Sequence, residues 1–324
     1  MASIGRMRFA KGHGTENDFV LVPDPAGEFP ITARLAARLC DRRAGLGADG
    51  VLRIVRTAAL GDEAPPSRTG AVPGPVPEWF MDYRNADGSL AEMCGNGIRV
   101  FARYLIDSGL AAGPELAIAT RSGTRRVRQE GTGDISAGLG PAAVLGPGSA
   151  VAGGRACDGL RISVGNPHLA CVTGDPLDSF DLSAPPALDP AAFPQGANLE
   201  LVRVTGPGSL SMRVHERGSG ETRSCGTGAV AAALAAAVAA GPAGGPGAPA
   251  GPGRTGTGPG GKDRVGKDRV GTDHVGKDHG RWQVTVPGGT LTVTLETGAA
   301  WLTGPAVIVA EGELDPAWLA AAAR

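Results

Sequence analysis

Two short stretches of the chain share the pattern Cys-Gly-polar-Gly. CGNG at 94–97 is followed by IRVFARYL, and CGTG at 225–228 is followed by AVAAALAA. Both following stretches carry apolar residues at helical spacing, so each cysteine is predicted to lie at the start of a helix. At that position, free backbone N–H groups and the positive end of the helix dipole are expected to lower the pKa of a thiol. Cys94 and Cys225 are therefore the candidate catalytic residues.

The same backbone N–H groups form a site for a carboxylate, and the flanking glycines let the backbone approach a ligand closely. Two thiols beside a carboxylate site suit inversion at an α-carbon. One cysteine, as a thiolate, removes the proton from one face, and the other, as a thiol, returns a proton to the opposite face. The remaining cysteines, Cys40, Cys157 and Cys171, lack this context and are predicted to be buried apolar residues.

Polar residues precede the two cysteine phrases at matched distances. Asn85 and Glu216 each lie nine residues before their cysteine and lead into a Gly-containing turn. Further upstream, Asn17 in GTENDFV and Asn166 in GNPHLACV each lead into an apolar run. The chain therefore reads as two copies of one unit, each placing a cysteine at a helix start.

The elements that must position these residues follow an α/β pattern. Short β-like runs bounded by turn residues recur along the chain, and VTVPGGTLTV is typical of a hairpin. Helical spacing is clearest over 32–40, 97–108 and 228–240. We therefore predict an α/β (α+β) fold with more strands than helices.

Length and composition limit the class of protein. A chain of 324 residues suggests roughly two domains. Because the net charge is -1, there is no positive field to bind nucleic acid or an anionic membrane surface. The longest apolar stretch, 229–240, is too short to span a bilayer, which needs about 20 residues. Five widely separated cysteines do not resemble a disulfide framework, so we expect a cytoplasmic location.

Two stretches rich in Pro and Gly are predicted to be surface insertions. The first covers about 58–77, and the second covers 241–280, which ends in repeats of the type GKDRV. The second stretch cannot bury enough apolar surface to offset its chain entropy, so it is predicted to be disordered. Its histidines, His274 and His279, would bind a metal only weakly, and no metal site is predicted.

Several segments, taken together and in order, resemble one family. KGHGTENDFVL, GLGADGVLRI, MDYRNADGSLAEMCGNGIRVFARYL, VGNPHLACV, GANLELV and RVHERGSGETRSCGTGAVAAA look like diaminopimelate epimerase. The resemblance extends from about Met7 to Leu314, apart from the two insertions. The paired cysteine phrases with HERGSGETRSCGTG are the most specific part of it.

The resemblance implies an epimerase that interconverts LL- and meso-2,6-diaminopimelate without a cofactor, for lysine and peptidoglycan precursor synthesis. Lys11 is the only lysine outside the GKDRV-type repeats, which agrees with independence from pyridoxal phosphate. Cys94 and Cys225 match the two acid/base cysteines of the family. His168 matches a position that could tune the thiols. The positions that match substrate-binding residues are Asn17, Asn85, Gly95, Asn96, Asn166, Asn198, Glu216, Arg217, Gly226 and Thr227.

The same resemblance implies two pseudo-symmetric lobes, each a curled β-sheet around a central helix, with the active site in the cleft between them. The expected boundaries are 1–140 for the first lobe and 141–303 for the second, which contains the 241–280 insertion. Residues 304–324 are expected to return to the first lobe. The resemblance also implies a homodimer whose small-molecule partner is diaminopimelate.

Three other interpretations fit the sequence less well. A proline or hydroxyproline racemase of the same fold also uses two cysteines, but a proline pocket has no distal ammonium and carboxylate for Arg217 and the four asparagines to bind. An isomerase lineage of this fold without the cysteines is disfavoured by the intact pair. A metal-binding or redox protein is disfavoured because there is no CxxC spacing.

Overall fold

The computed structural model describes residues 6–60, 75–241 and 280–323. Within these ranges the chain forms eighteen strands and four helices. The strands are β1 Arg8–Gly14, β2 Asn17–Pro23, β3 Gly50–Arg56, β4 Trp79–Asn85, β5 Glu115–Thr120, β6 Gly123–Gln129, β7 Ile135–Gly140, β8 Ala143–Ala152, β9 Arg155–Ser163, β10 Pro167–Val172, β11 Ala187–Leu188, β12 Asn198–Gly206, β13 Ser209–Glu216, β14 Gly220–Thr222, β15 Gly280–Val286, β16 Gly289–Glu296, β17 Ala299–Gly304 and β18 Val307–Glu313. The helices are α1 Ala33–Cys40, α2 Gly95–Asp107, α3 Gly226–Ala240 and α4 Pro316–Ala322.

Strand pairing divides most of the sheet into two groups of eight with the same pattern. The first group runs β18-β1-β2-β3-β4-β5-β6-β7. The second runs β8-β9-β10-β12-β13-β15-β16-β17. In both groups the third and fourth strands (β2–β3 or β10–β12) pair in parallel, and so do the fifth and sixth (β4–β5 or β13–β15). The other pairings are antiparallel. The last strands of the groups, β7 and β17, pair with each other and join them.

Each group of strands curls around one helix. Helix α2 contacts six strands of the first group, and α3 contacts seven strands of the second. Eleven of the fifteen residues of α3 are buried, which is the pattern of a helix enclosed by a sheet. In α2, Leu105 is fully buried, and truncating such a leucine to alanine costs about 2–5 kcal/mol. Both helices belong to one continuous apolar core.

A smaller apolar cluster covers the outside of the first group. Helix α1 begins after Thr32, whose hydroxyl accepts a hydrogen bond from the backbone N–H of Leu35 at 3.1 Å. Its buried side chains, Leu35 and Leu39, pack in one cluster with Leu319 of α4. This cluster fixes the outer face of β2, the strand that begins with Asn17.

The structure confirms the predicted fold class: α/β, mostly strands, with a sheet curled around a central helix. The three predicted helices are present, and the two that follow the cysteines begin two residues earlier than predicted, at Gly95 and Gly226. Most of the predicted first insertion (61–74) and of the second (242–279) lies outside the described residues. Of the helices in the described ranges, none is long and apolar enough to cross a bilayer.

Candidate active site

Each candidate cysteine caps the N-terminus of a central helix. Cys94 precedes α2 with an extended backbone, and its sulfur accepts a hydrogen bond from the Gly97 N–H at 3.3 Å. Cys225 precedes α3 in the same backbone region. The extended cap turns the backbone into the helix and leaves first-turn N–H groups without intrahelical partners. The two halves therefore present the same combination of a thiol and free backbone donors.

The two helix starts meet at their first residues. A Cβ built on Gly95 would lie 3.4 Å from Gly226 Cα, and one built on Gly226 would lie 3.1 Å from Gly95 Cα. Both would also approach the Leu302 side chain, at 3.1 and 2.8 Å. With no side chain on either residue, the two helix starts come into direct backbone contact, which brings the positive ends of two helices to one place. Such an arrangement is suited to an anion.

Around Cys94, two amide side chains form a connected set. The sulfur lies 3.7 Å from Asn17 Oδ1, which accepts a hydrogen bond from Asn96 Nδ2 at 3.3 Å. Asn96 Nδ2 also donates to the backbone oxygen of Ser224 at 3.2 Å. Asn17 Nδ2 donates to Asp49 Oδ2 at 2.7 Å. Asn96 thus links the start of α2 to the residue that precedes Cys225.

Around Cys225, polar groups come from three strands and from the helix itself. The sulfur lies 3.6 Å from Thr227 Oγ1 and 3.9 Å from Asn198 Nδ2. Asn166 Nδ2 donates to Thr227 Oγ1 at 3.4 Å. Burial raises the pKa of Glu216, against hydrogen bonds from Thr222 and Cys225 that lower it. Cys225 is therefore surrounded by neutral hydrogen-bonding groups and lies near two carboxyl groups, Glu216 and Glu200.

Burial dominates the acidity of both thiols. It raises the pKa of Cys94 to about 11, although the hydrogen bond from Gly97 N–H lowers it. It also raises the pKa of Cys225 well above the ordinary value, and the negative charge of Glu216 adds to that effect. The expectation of a lowered thiol pKa at these helix starts was therefore wrong in direction. Desolvation of the sulfur outweighs the helix dipole, whose effect is typically about 1 kcal/mol.

His168 is fully buried behind Cys225 rather than exposed in the cleft. Its Nδ1 lies 2.7 Å from Glu200 Oε1, and its Nε2 lies 2.9 Å from Asn166 Oδ1. A Cβ built on Gly228 would lie 2.7 Å from the same Glu200 oxygen. His168 therefore holds the Asn166 side chain through Nε2, and its partner Glu200 packs against the first turn of α3.

Two predicted site residues make contacts of a different kind. The Asn85 side chain bonds to Ser89 within its own turn, at 3.0 Å. Arg217 is exposed; its backbone N–H donates to Asn198 Oδ1 at 2.9 Å, and its guanidinium donates to the Gln195 backbone oxygen at 3.0 Å. The other predicted positions are connected to Cys94 or Cys225 through the contacts described above.

The structure adds buried polar residues that the sequence did not single out. Thr15 Oγ1 lies 2.9 Å from Ser224 Oγ, so the β1–β2 turn contacts the segment before Cys225. Thr15 and Glu16 both adopt a positive φ, 52° and 61°, which is strained for residues other than glycine. Arg99 and Glu200 are fully buried. Their only sequence signal was a charged residue within a mainly apolar run, in IRVFARYL and LELVRV, and each run holds a second charge.

Comparisons with known proteins identify the family of the chain. The diaminopimelate epimerase family profile matches residues 9–145 and 160–244. The chain is 53% identical over 308 residues to the diaminopimelate epimerase of Thermobifida fusca (strain YX), covering 95% of this chain and 98% of that relative. It is 46% identical over 327 residues to the diaminopimelate epimerase of Mycolicibacterium smegmatis, covering 96% and 98%.

Solved structures of lower identity share the fold. A hydroxyproline epimerase from Agrobacterium vitis has a TM-score of 0.58 at 13% identity, covering 98% of this chain and 96% of that one. A predicted epimerase from Pseudomonas aeruginosa has a TM-score of 0.58 at 15% identity, covering 95% and 99%. The fold is thus shared with other epimerases, whereas the relatives that are 46% and 53% identical to this chain are both diaminopimelate epimerases. The chain belongs to the diaminopimelate epimerase family.

Proposed function

We propose that this isomerase interconverts LL- and meso-2,6-diaminopimelate by a two-base mechanism in which Cys94 and Cys225 act on opposite faces of one α-carbon. The observation that carries the proposal is the contact between Gly95 and Gly226, because it places the two cysteine-capped helix starts side by side. A single capped cysteine would not support inversion. Two in matched positions supply one group for each face of the substrate.

The proton balance is closed within the site. The thiolate of one cysteine takes the α-proton, so the Cα–H bond breaks and an S–H bond forms. The thiol of the other cysteine then gives its proton to the opposite face, and its sulfur becomes the thiolate. The oxidation state of the substrate does not change, and the two cysteines account for every proton in the step. The raised pKa of Cys94, about 11, makes its thiolate a stronger base toward a weakly acidic proton.

Charge that develops on the substrate carboxylate is stabilised by backbone donors. We infer that this carboxylate lies at the first turns of both helices, against Gly95 and Asn96 on one side and Gly226 and Thr227 on the other. Preorganised donors of this kind typically contribute about 10²–10³-fold each to turnover. The convergence of two helix starts provides them without any rearrangement.

The distal end of the substrate carries a second carboxylate and ammonium. We propose that Arg217 binds this carboxylate, because a guanidinium matches a carboxylate in a bidentate manner. Asn17, Asn85, Asn166 and Asn198 supply amide donors and acceptors for the remaining groups. Glu216 lies against Cys225, and we place it at the substrate ammonium.

Further parts of the proposal concern organisation. Strand pairing supports two lobes, 1–140 with 304–324 and 141–303, because β18 pairs with β1 and the strand groups join at β7 and β17. We place His168 as a tuning residue that acts through Asn166. We also propose a cytoplasmic homodimer in lysine and peptidoglycan precursor synthesis, without nucleic acid or membrane partners.

Proton exchange in heavy water tests the proposal directly. Purified protein without added cofactor is incubated with LL-diaminopimelate in D₂O, and NMR follows loss of the α-proton and formation of the meso isomer. We expect both in the wild type and no epimerisation in Cys94→Ala or Cys225→Ala. Cys40→Ala is the matched control, because Cys40 is buried in the outer cluster of α1 and should leave turnover unchanged.

Two results would contradict the proposal. Epimerisation by either cysteine variant at the wild-type rate would exclude the two-base mechanism. Absence of exchange with diaminopimelate from a folded, reduced protein would favour the alternative, a proline- or hydroxyproline-type racemase. Exchange of the α-proton of proline under the same conditions would then identify that activity.

A further inference from the structure

Arg99 is a fully buried cation beside the candidate site. It lies one turn into α2, and its Nη1 donates to Gly95 O at 3.0 Å and to Asn96 Oδ1 at 2.9 Å. Its Nη2 donates to Thr15 Oγ1 at 3.3 Å. All three acceptors belong to residues around the start of α2. The Arg99 side chain therefore connects the helix start to the strained β1–β2 turn.

The chemistry of the guanidinium determines how the neighbouring amides point. Arginine has only donors, so the oxygen of the Asn96 amide must face it and Nδ2 must face away. That Nδ2 then donates to Asn17 Oδ1, which leaves Asn17 Nδ2 to donate to Asp49 at 2.7 Å. The orientation of both amides thus follows from Arg99 at one end and a carboxylate at the other.

The charge of Arg99 has no carboxylate partner within the described ranges 6–60, 75–241 and 280–323. Its Nε is buried without a hydrogen-bond partner there. Burial lowers the pKa of Arg99 to about 10, so the group stays charged near neutral pH. A buried charge that hydrogen-bonds only to neutral acceptors is costly, so a negative charge on the nearby Cys94 sulfur is favoured.

The equivalent position of the second central helix carries no cation. Arg99 lies five residues after Cys94, and the residue five after Cys225 is Val230, which is also fully buried. The two helix starts are therefore alike in backbone but different in charge. The symmetric pairing pattern of the strands does not require an arginine at this position.

We propose that Arg99 is a positioning residue for the Cys94 half of the site: it fixes the orientation of the Asn96 and Asn17 amides and holds a positive charge next to the start of α2. This inference rests on the proposed role of Cys94. The positive charge favours the Cys94 thiolate, and the fixed amides keep the surroundings of the sulfur in one arrangement.

The test measures the Cys94 thiol itself. Wild type, Arg99→Met and Arg99→Lys are alkylated with iodoacetamide, a neutral reagent, and mass spectrometry of the Cys94 peptide gives the rate. Because the thiolate reacts, we expect Arg99→Met to slow alkylation about tenfold at about pH 8. Arg99→Lys keeps the charge but not the planar fork. We expect it to retain the alkylation rate within about twofold and to lose about tenfold in kcat/KM.

Arg103→Met is the matched control. Arg103 lies one turn further along α2 and donates to the Ala306 backbone oxygen, so its removal should leave Cys94 alkylation unchanged. An unchanged Cys94 rate in folded Arg99→Met would overturn the electrostatic role. If Arg99→Met does not fold, wild-type kcat/KM in Arg99→Lys would overturn the orienting role. Alkylation needs no substrate, so a wild type that fails to epimerise contradicts the proposed function and leaves this test intact.

Discussion

Gly95 and Gly226 lie in contact across the two halves of the molecule, each as the first residue of a central helix. A side chain on either one would also meet Leu302 of β17, the strand that pairs with β7 of the other group. The separation of the two thiols is therefore set by backbone contact and not by flexible side chains. A site that acts on two faces of one carbon requires that kind of fixed separation.

The contact between Gly95 and Gly226 predicts that one methyl group added at Gly226 lowers kcat. Gly226→Ala would place its Cβ 2.8 Å from Leu302 Cδ2 and 3.1 Å from Gly95 Cα, so the helix starts must move apart. We expect kcat to fall about tenfold, because the helix starts shift by a few tenths of an ångström and misplacement by about 1 Å costs about a hundredfold in a positioned reaction. Steady-state kinetics with diaminopimelate, together with thermal unfolding, measures the effect.

Gly131→Ala is the matched control for that substitution. A Cβ there would meet nothing within 4 Å, so we expect wild-type kinetics. Wild-type kcat in Gly226→Ala would show that the helix contact does not set the position of the thiols.

The residues packed behind the two cysteines differ between the halves of the molecule. The buried polar pair behind Cys225 can be replaced by apolar residues, which are the kind found behind Cys94. A Cβ built on Gly97 would meet Leu52 and Phe19, whereas one built on Gly228 would meet Glu200, which is paired with His168. We expect Glu200→Leu to destabilise the protein by about 3 kcal/mol, because it leaves His168 without its buried partner. The double variant Glu200→Leu/His168→Phe should recover most of that loss.

Urea denaturation of the wild type, Glu200→Leu, His168→Phe and the double variant measures this coupling. We expect turnover of the double variant to stay low, because Asn166 has lost its contact with His168. Equal stability of Glu200→Leu and the wild type would contradict the assignment of a supporting buried pair.

The raised pKa of Cys94 predicts a dependence of stability on pH. In the folded protein the thiol has a pKa of about 11, against a reference value of 9.0. Between these values the unfolded chain releases the proton and the folded chain keeps it, so the free energy of unfolding falls as pH rises. Relative to Cys94→Ala, the wild type should lose about 2 kcal/mol between about pH 8 and about pH 10.5.

Urea denaturation of both proteins at the two pH values provides the measurement. Because the other buried cysteines are common to both, the difference isolates Cys94. A difference that is independent of pH would mean that the Cys94 thiol ionises equally in the folded and unfolded chain.

The segment 242–279 should be dispensable for turnover. It leaves the C-terminal end of α3, and the 15 residues of that helix place this end roughly 22 Å from Cys225. Val238, Ala239 and Ala240 are exposed there. We expect a variant with a short Gly/Ser linker from Gly241 to Gly280 to keep kcat within a few-fold. Loss of activity in a folded variant would contradict this.

The two cysteines could be predicted from the sequence because the pattern Cys-Gly-polar-Gly, followed by an apolar helix, occurs twice. It could not predict Arg99, since an arginine in an amphipathic helix normally marks the exposed face, and only enclosure by the sheet makes that face buried. Glu200 was missed for a similar reason. Alternation in LELVRV is typical of a strand with one face in solvent, whereas β12 has α3 on one side and the cluster around Leu199 and Leu201 on the other.

Some strands and helices also lacked a clear signal in the sequence. The strand β4 follows a stretch rich in Pro and Gly, and its apolar run is only three residues, 79–81, before Asp82 and Arg84 interrupt it. Asp82 is buried because Arg121 pairs with it at 2.5 Å, a partner that no local pattern reveals. Helix α4 was missed although Asp315 caps it and Pro316 begins it, because it has only seven residues.

The pairing of β18 with β1 has a consequence for biosynthesis. The strands of the second group are all present in the chain once residue 304 has been made, but the first group still lacks β18, Val307–Glu313. During translation, the half encoded first is therefore the half completed last. Until β18 emerges, β1 has an open edge, and an unpaired strand edge is where nascent chains associate with one another.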